Sequence, residues 1–89
     1  MLDKCMGDRK RRILIVDDNL EFAELVAKFL GSKEYQISIA PDGSTSIEKV
    51  LSESPELVLL DLKLPDITGR EVMKRIKTIN EDTAVIIIT

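Results

Sequence analysis

The 89-residue sequence contains no histidine and no tryptophan, one cysteine (Cys5), and three aromatic residues in all, Phe22, Phe29 and Tyr35. The missing histidine removes the usual general base, the commonest metal ligand and any phosphohistidine of the chain's own. Chemistry must therefore rest on carboxylates and hydroxyls. A lone cysteine closes no intrachain disulfide, and residues 1–12 lack the apolar run of a signal peptide, so the expected location is cytoplasmic. No apolar run approaches the roughly 18 residues of a membrane span, and no membrane partner is expected. The glycines Gly7, Gly31, Gly43 and Gly69 stand apart and build no phosphate-cradling loop after a strand, which sets nucleotide binding aside.

What is present is an apolar fraction of 44% with 33% charged residues, enough for one small ordered domain and too little chain for two. The net charge is −3, unevenly placed. Residues 1–12 hold five basic and two acidic side chains, leaving the remainder at −6. Nucleic-acid recognition needs a basic face with groove-reading or stacking groups. The acidic body offers neither, so no direct nucleic-acid contact is expected. The Arg9-Lys10-Arg11-Arg12 cluster reads as a solvated basic leader, residues 1–12, ahead of a domain spanning 13–89.

Ile13-Leu14-Ile15-Val16 is an unbroken apolar run ending in Asp17-Asp18, the pattern of a strand buried on both faces. Phe22, Leu25, Val26, Phe29 and Leu30 then recur at helical spacing up to Gly31, a natural helix stop. Tyr35 to Ala40 alternates, as a strand at a sheet edge does, and breaks at Pro41-Asp42-Gly43. A second helix carries Ile47, Val50 and Leu51 on one side and ends at Ser54-Pro55. Leu57-Val58-Leu59-Leu60 repeats the buried-strand pattern and again runs into a carboxylate, Asp61. After the turn-rich segment from Leu64 to Gly69, a third helix presents Val72, Met73, Ile76 and Ile79. Ala84 to Ile88 is a fourth buried-type strand, followed by Thr89.

Alternating strands and helices with short links predict a parallel sheet with right-handed crossovers, a doubly wound α/β fold. In such sheets the site lies outside the carboxyl ends of the strands. Asp17, Asp18, Asp61 and Thr89 all fall there. Taken singly, Asp17 and Asp18 suit helix capping equally well, and Asp61, Pro65 and Gly69 suit an ordinary turn. Their joint placement shifts the balance. Three carboxylates in one crevice repel unless a cation offsets them, and all-oxygen ligation suits Mg²⁺.

These motifs, Ile13 to Asp18, Leu57 to Gly69 and Ala84 to Thr89, together resemble a response-regulator receiver domain, the phosphoacceptor module of bacterial two-component signalling. The likeness covers nearly all of the chain after the leader. It implies a flavodoxin-like sheet of order 2-1-3-4 with three helices. It further implies that Asp61 takes a phosphoryl group from the phosphohistidine of a sensor histidine kinase. Asp18, Asp61 and the main-chain carbonyl of Lys63 would bind Mg²⁺, with Asp17 helping to place it. Thr89 would hydrogen-bond the phosphoryl group and relay the switch to a downstream output domain. On this likeness the chain is a signalling module and no turnover enzyme, limited to its own phosphorylation and slow dephosphorylation.

The sequence departs from the family at its end. Family members continue through a further helix, a fifth strand bearing a lysine that pairs with the phosphoryl group, and a last helix. Without that lysine, phosphorylation is expected to suffer more than metal binding. The fourth strand would also become an uncharged, β-prone edge, an aggregation hazard. The expectation is a fragment of a longer regulator, or a chain that hides this edge by homodimerisation or strand exchange. The competing reading is a non-phosphorylated interaction or self-assembly module that uses the exposed fourth strand. A hydrolase of the aspartyl-phosphatase type would need a second acid two residues after Asp61, where the sequence has Lys63.

Overall fold

The computed structural model describes residues 11–31 and 34–88. Four strands and three helices alternate: β1 (Arg11–Val16), α1 (Leu20–Leu30), β2 (Tyr35–Ala40), α2 (Gly43–Glu53), β3 (Leu57–Leu60), α3 (Gly69–Ile79) and β4 (Ala84–Ile87). The strands form one parallel sheet in the order β2-β1-β3-β4, as expected for a doubly wound α/β fold. β1 starts at Arg11, so the last two residues of the basic cluster belong to the sheet. Arg11 and Arg12 sit opposite Tyr35 and Gln36, a register that main-chain pairing fills without apolar side chains.

Successive residues of each strand serve opposite faces, and the apolar runs divide accordingly. Leu14, Val16, Val58 and Leu60 join Ala40 of β2, Val50 of α2, and Val72 and Ile76 of α3 in one core cluster. Ile13, Ile15 and Leu59 join Ala23 of α1 in a second. At about 25 cal/mol per Å² of apolar surface removed from water, these buried aliphatic side chains are the main term holding the sheet to its helices.

The helix ends are closed by side chains placed where the sequence changes period. Asn19 caps α1 by accepting from the Phe22 amide, Asp42 caps α2 through the Thr45 amide, and Thr68 caps α3 through the Glu71 amide. Each satisfies a donor that the first turn leaves unpaired. Gly31 ends α1 at φ 86°, in the left-handed region where other residues are strained.

The α1 stripe read from the sequence is only partly core. Val26 and Leu30 pack on the sheet, whereas Phe22, Leu25 and Phe29 are exposed, Phe29 to 89%. Ala23, too small to mark a stripe, is the fully buried position. Leu51 of α2 and Ile79 of α3 likewise lie on the surface instead of in the core. Helical spacing identifies a face; what covers that face is a tertiary fact. Among the described residues no helix is long and apolar enough to cross a membrane.

Candidate functional site

The carboxyl ends of β1 and β3 are adjacent because the two strands pair directly, Val16 opposite Leu60. The next residues therefore emerge side by side. The Asp61 amide donates to the Val16 carbonyl at 3.0 Å, and the Asp17 amide to the Ala40 carbonyl at 3.0 Å, extending the ladder into the site. One carboxylate oxygen each from Asp17, Asp18 and Asp61 lies within 4.8 Å of the others. Asp17 is buried, Asp61 half-buried and Asp18 exposed. The cluster is thus walled by the sheet on one side and open to water on the other.

Burial pushes the Asp17 carboxyl above its ordinary value, and the charges of Asp61 and Asp18 push in the same direction, against the hydrogen bond it accepts from the Asn19 amide. That Asn19 bond, at 2.9 Å, orients Asp17 into the crevice. Capping of α1 belongs to Asn19, so Asp17 and Asp18 are free of the competing role that their position allowed.

The loop from Asp61 to Gly69 completes the rim. The Lys63 amide donates to Asp61 Oδ1 at 3.1 Å, fixing the carboxylate that points into the cluster. Gly69 returns the chain to the start of β3's exit, its amide bonding the Leu62 carbonyl at 3.0 Å. A Cβ on Gly69 would stand 2.6 Å from both the Asp61 carbonyl oxygen and Leu62 Cα, so only glycine closes the loop this tightly. Asp66, to which the sequence reading assigned no part, accepts from the amides of Gly43 and Ser44 and from the Ser44 hydroxyl at 2.8–2.9 Å. Its partners are more than twenty residues away and carry no periodic signal; an acid after Pro65 in a turn was the only cue. Thr89, the fifth expected site residue, lies outside the described residues, as does the leader up to residue 10.

Among the described residues the donor set is three carboxylates, all hard oxygen. Carboxylates this close, one of them raised by burial and then by its neighbours' charge, fit a small divalent cation that keeps several waters, as Mg²⁺ does.

A parallel sheet of this order, with three carboxylates gathered where its two central strands end, defines a flavodoxin-like module with an acidic pocket. Residues 13–89 match the family model described as the response regulator receiver domain, and the chain belongs to that family. It is 41% identical over 78 residues to sporulation initiation phosphotransferase F of Bacillus subtilis, covering 88% of this chain and 63% of the relative. Response regulator ArlR of Staphylococcus saprophyticus is also 41% identical, with 88% of this chain matched to 35% of that protein. The chain thus spans less than two thirds of the length of these relatives. Among solved structures, the signal receiver domain of a putative Luxo repressor protein from Vibrio parahaemolyticus superposes with a TM-score of 0.82 at 33% identity, covering 89% of this chain and 61% of the other. The response regulator protein TrrA from Thermotoga maritima, solved in complex with Mg²⁺ and BeF, gives 0.80 at 35% identity over 86% of this chain and 67% of that one.

Proposed function

We propose that the domain accepts a phosphoryl group on Asp61 from the phosphohistidine of a sensor histidine kinase, in a Mg²⁺-dependent reaction that switches a response regulator. The observation that carries this reading is the convergence of Asp17, Asp18 and Asp61 to within 4.8 Å at the ends of β1 and β3. Asp17, Asp18, Asp61 and the Lys63 carbonyl would hold Mg²⁺, which when bound offsets the charge of the phosphoryl oxygens.

In the transfer, an Asp61 carboxylate oxygen forms a bond to phosphorus as the P–N bond of the donor phosphohistidine breaks. The electron pair of that bond stays on the imidazole nitrogen. The Lys63 amide, bonded to Asp61 Oδ1, presents the other oxygen of the carboxylate for attack. Thr89 contributes its hydroxyl to the phosphoryl group and passes the switch toward an output domain. The chain itself supplies the acceptor, which agrees with its lack of histidine. In this reading residues 13–89 are the receiver, acting in the cytoplasm and preceded by a basic leader whose last two residues, Arg11 and Arg12, begin β1, with the chain catalysing only its own modification.

Acetyl phosphate with Mg²⁺ should add one phosphoryl group to the intact protein, with no addition to Asp61→Asn or in excess chelator. An unchanged wild-type mass, or equal modification of Asp61→Asn, contradicts the reading.

A second reading is favoured by the sheet edge: among the described residues β4 pairs only with β3, and its Ile86 and Ile87 are 51% and 39% exposed. An open, uncharged edge pairs readily with another chain, and it supports assembly of two copies through β4. A concentration-dependent dimer in sedimentation that Ile86→Lys abolishes would select it; a monomer at all concentrations would remove it.

A further inference from the structure

We propose that Asp66 is a positioning residue for the Asp61 site, clasping the loop of residues 61–69 onto the N-terminus of α2 and so fixing the Lys63 main chain. The inference rests on the phosphoacceptor reading above. It starts from the two ends of that loop, which are already held: the Asp61 amide by Val16, the Gly69 amide by Leu62. The crest between them has no strand or helix to hold it. Yet the crest carries Lys63, whose amide orients Asp61 and whose carbonyl the proposed function assigns to the cation.

Asp66 supplies the missing anchor. One carboxylate oxygen accepts from Gly43 at 2.8 Å, and the other from the Ser44 amide at 2.9 Å and its hydroxyl at 2.8 Å. The Ile67 amide bonds the same carboxylate at 2.8 Å, which locks the crest's own backbone to the clasp. These donors hold the Asp66 carboxyl well below the usual carboxylate range, Gly43 contributing most. The first turn of α2 contains no acidic side chain, so beside the Asp42 cap Asp66 brings from the loop a second negative charge, which a helix N-terminus favours.

Packing agrees with the bonding. Ile67 and Leu64, either side of Asp66, pack against the core cluster. Gly43 leaves room for Ile67, since a Cβ there would collide with the Ile67 side chain. The loop therefore docks by two apolar side chains flanking one charged clasp. Loss of the clasp should free the crest without unfolding either end.

The test compares Asp66→Ala with Asp42→Ala, which removes α2's own cap, the acceptor for the Thr45 amide. In metal-free protein, exchange of the Lys63 and Ile67 amides should accelerate about tenfold in Asp66→Ala, the loss of bonds to a charged acceptor. It should stay at the wild-type rate in Asp42→Ala. Mg²⁺ affinity, read by calorimetry, should fall about tenfold in Asp66→Ala, as for loss of a group that supports metal ligands, be partly restored by Asp66→Asn, and remain near wild type in Asp42→Ala. Equal loop exchange in the two alanine variants overturns the clasp. Faster exchange with undiminished Mg²⁺ affinity overturns its positioning role. Failure of the wild-type chain to bind Mg²⁺ instead removes the phosphoacceptor reading, while the exchange comparison still decides the clasp.

Discussion

The two faces of the sheet are built from neighbouring residues of the same strands and are closed to different degrees. On one face α2 and α3 pack on the sheet and on each other, and the core there reaches from Leu14 and Val16 through Leu60 to Val72 and Ile76, all fully buried. On the other, α1 alone seats on β1 and β2, and Ile86 of β4, paired with Leu59, stays half exposed. Phe22, Leu25 and Phe29 of α1 are exposed as well. The site lies at the carboxyl edge between the two faces, with Asp17 bonded to Asn19, the cap of α1. Its loop docks on α2 through Asp66 and Ile67, and its carboxylates inherit their spacing from the β1–β3 pair that both cores clamp.

The largest expected effects separate the faces directly. Leu14 and Ile15 are adjacent in β1 and both fully buried, but on opposite sides. Truncation to alanine costs about 2–5 kcal/mol depending on how well the site collapses. Leu14→Ala should fall in the upper part of that range, beneath two packed helices, and Ile15→Ala in the lower part, beneath a single helix free to settle. Urea unfolding of the two variants checks this, and a reversed order would mean that the faces are equally rigid.

Next in size is the cap on the open face. Asn19→Ala removes the acceptor for the Phe22 amide, and should cost about 1 kcal/mol, the usual worth of an N-cap. A loss near zero would show that α1 is held by packing alone.

The pH response sharpens the site's side of the comparison. Asp17 is raised in the folded chain by burial and by Asp61 and Asp18, so it binds a proton more readily folded than unfolded. Its charge therefore detracts from stability above the folded value, and metal-free protein should gain stability as pH falls from neutral toward about 4. Asp17→Asn should be more stable than wild type at neutral pH and lose most of that gain. Thermal melts across this window give the sign. Asp66 acts oppositely: its lowered value keeps the clasp charged throughout the same window, and only stronger acid releases it.

The smallest effect is expected at Phe29, 89% exposed. Phe29→Ser should change stability by less than about 0.5 kcal/mol, as surface substitutions do. A large loss would show that α1's outer stripe is covered after all.

Much of this architecture was legible because buried parallel strands write themselves as continuous apolar runs. All four appeared in order, β2 by its alternation and the others by unbroken runs, although β4, read as a buried strand, is largely exposed, and the carboxylates after β1 and β3 pointed to one edge. The helix α1 was legible in extent but not in orientation, since Phe22, Leu25 and Phe29 mark an apolar stripe whether or not anything lies against it. Ala23 was invisible as a core residue for the converse reason. The start of β1 at Arg11 escaped notice because backbone pairing asks nothing of the side chain. Asn19 displaced Asp17 and Asp18 as the cap by a shift of one residue, which leaves two carboxylates for the cluster. The Asp66 clasp was beyond reach, since it joins residues 66 and 43–44 through contacts that no local pattern encodes.

The central claim is that Asp17, Asp18 and Asp61 form one cation-binding pocket, and Mg²⁺ titration followed by backbone amide shifts tests it most directly. The account predicts a single saturable transition with the largest shifts at Asp17, Asp18, Asp61 and Lys63, lost in Asp18→Asn and Asp61→Asn. Weak, unsaturated shifts spread over surface acids such as Glu21 and Glu24, unaltered by either substitution, would contradict it.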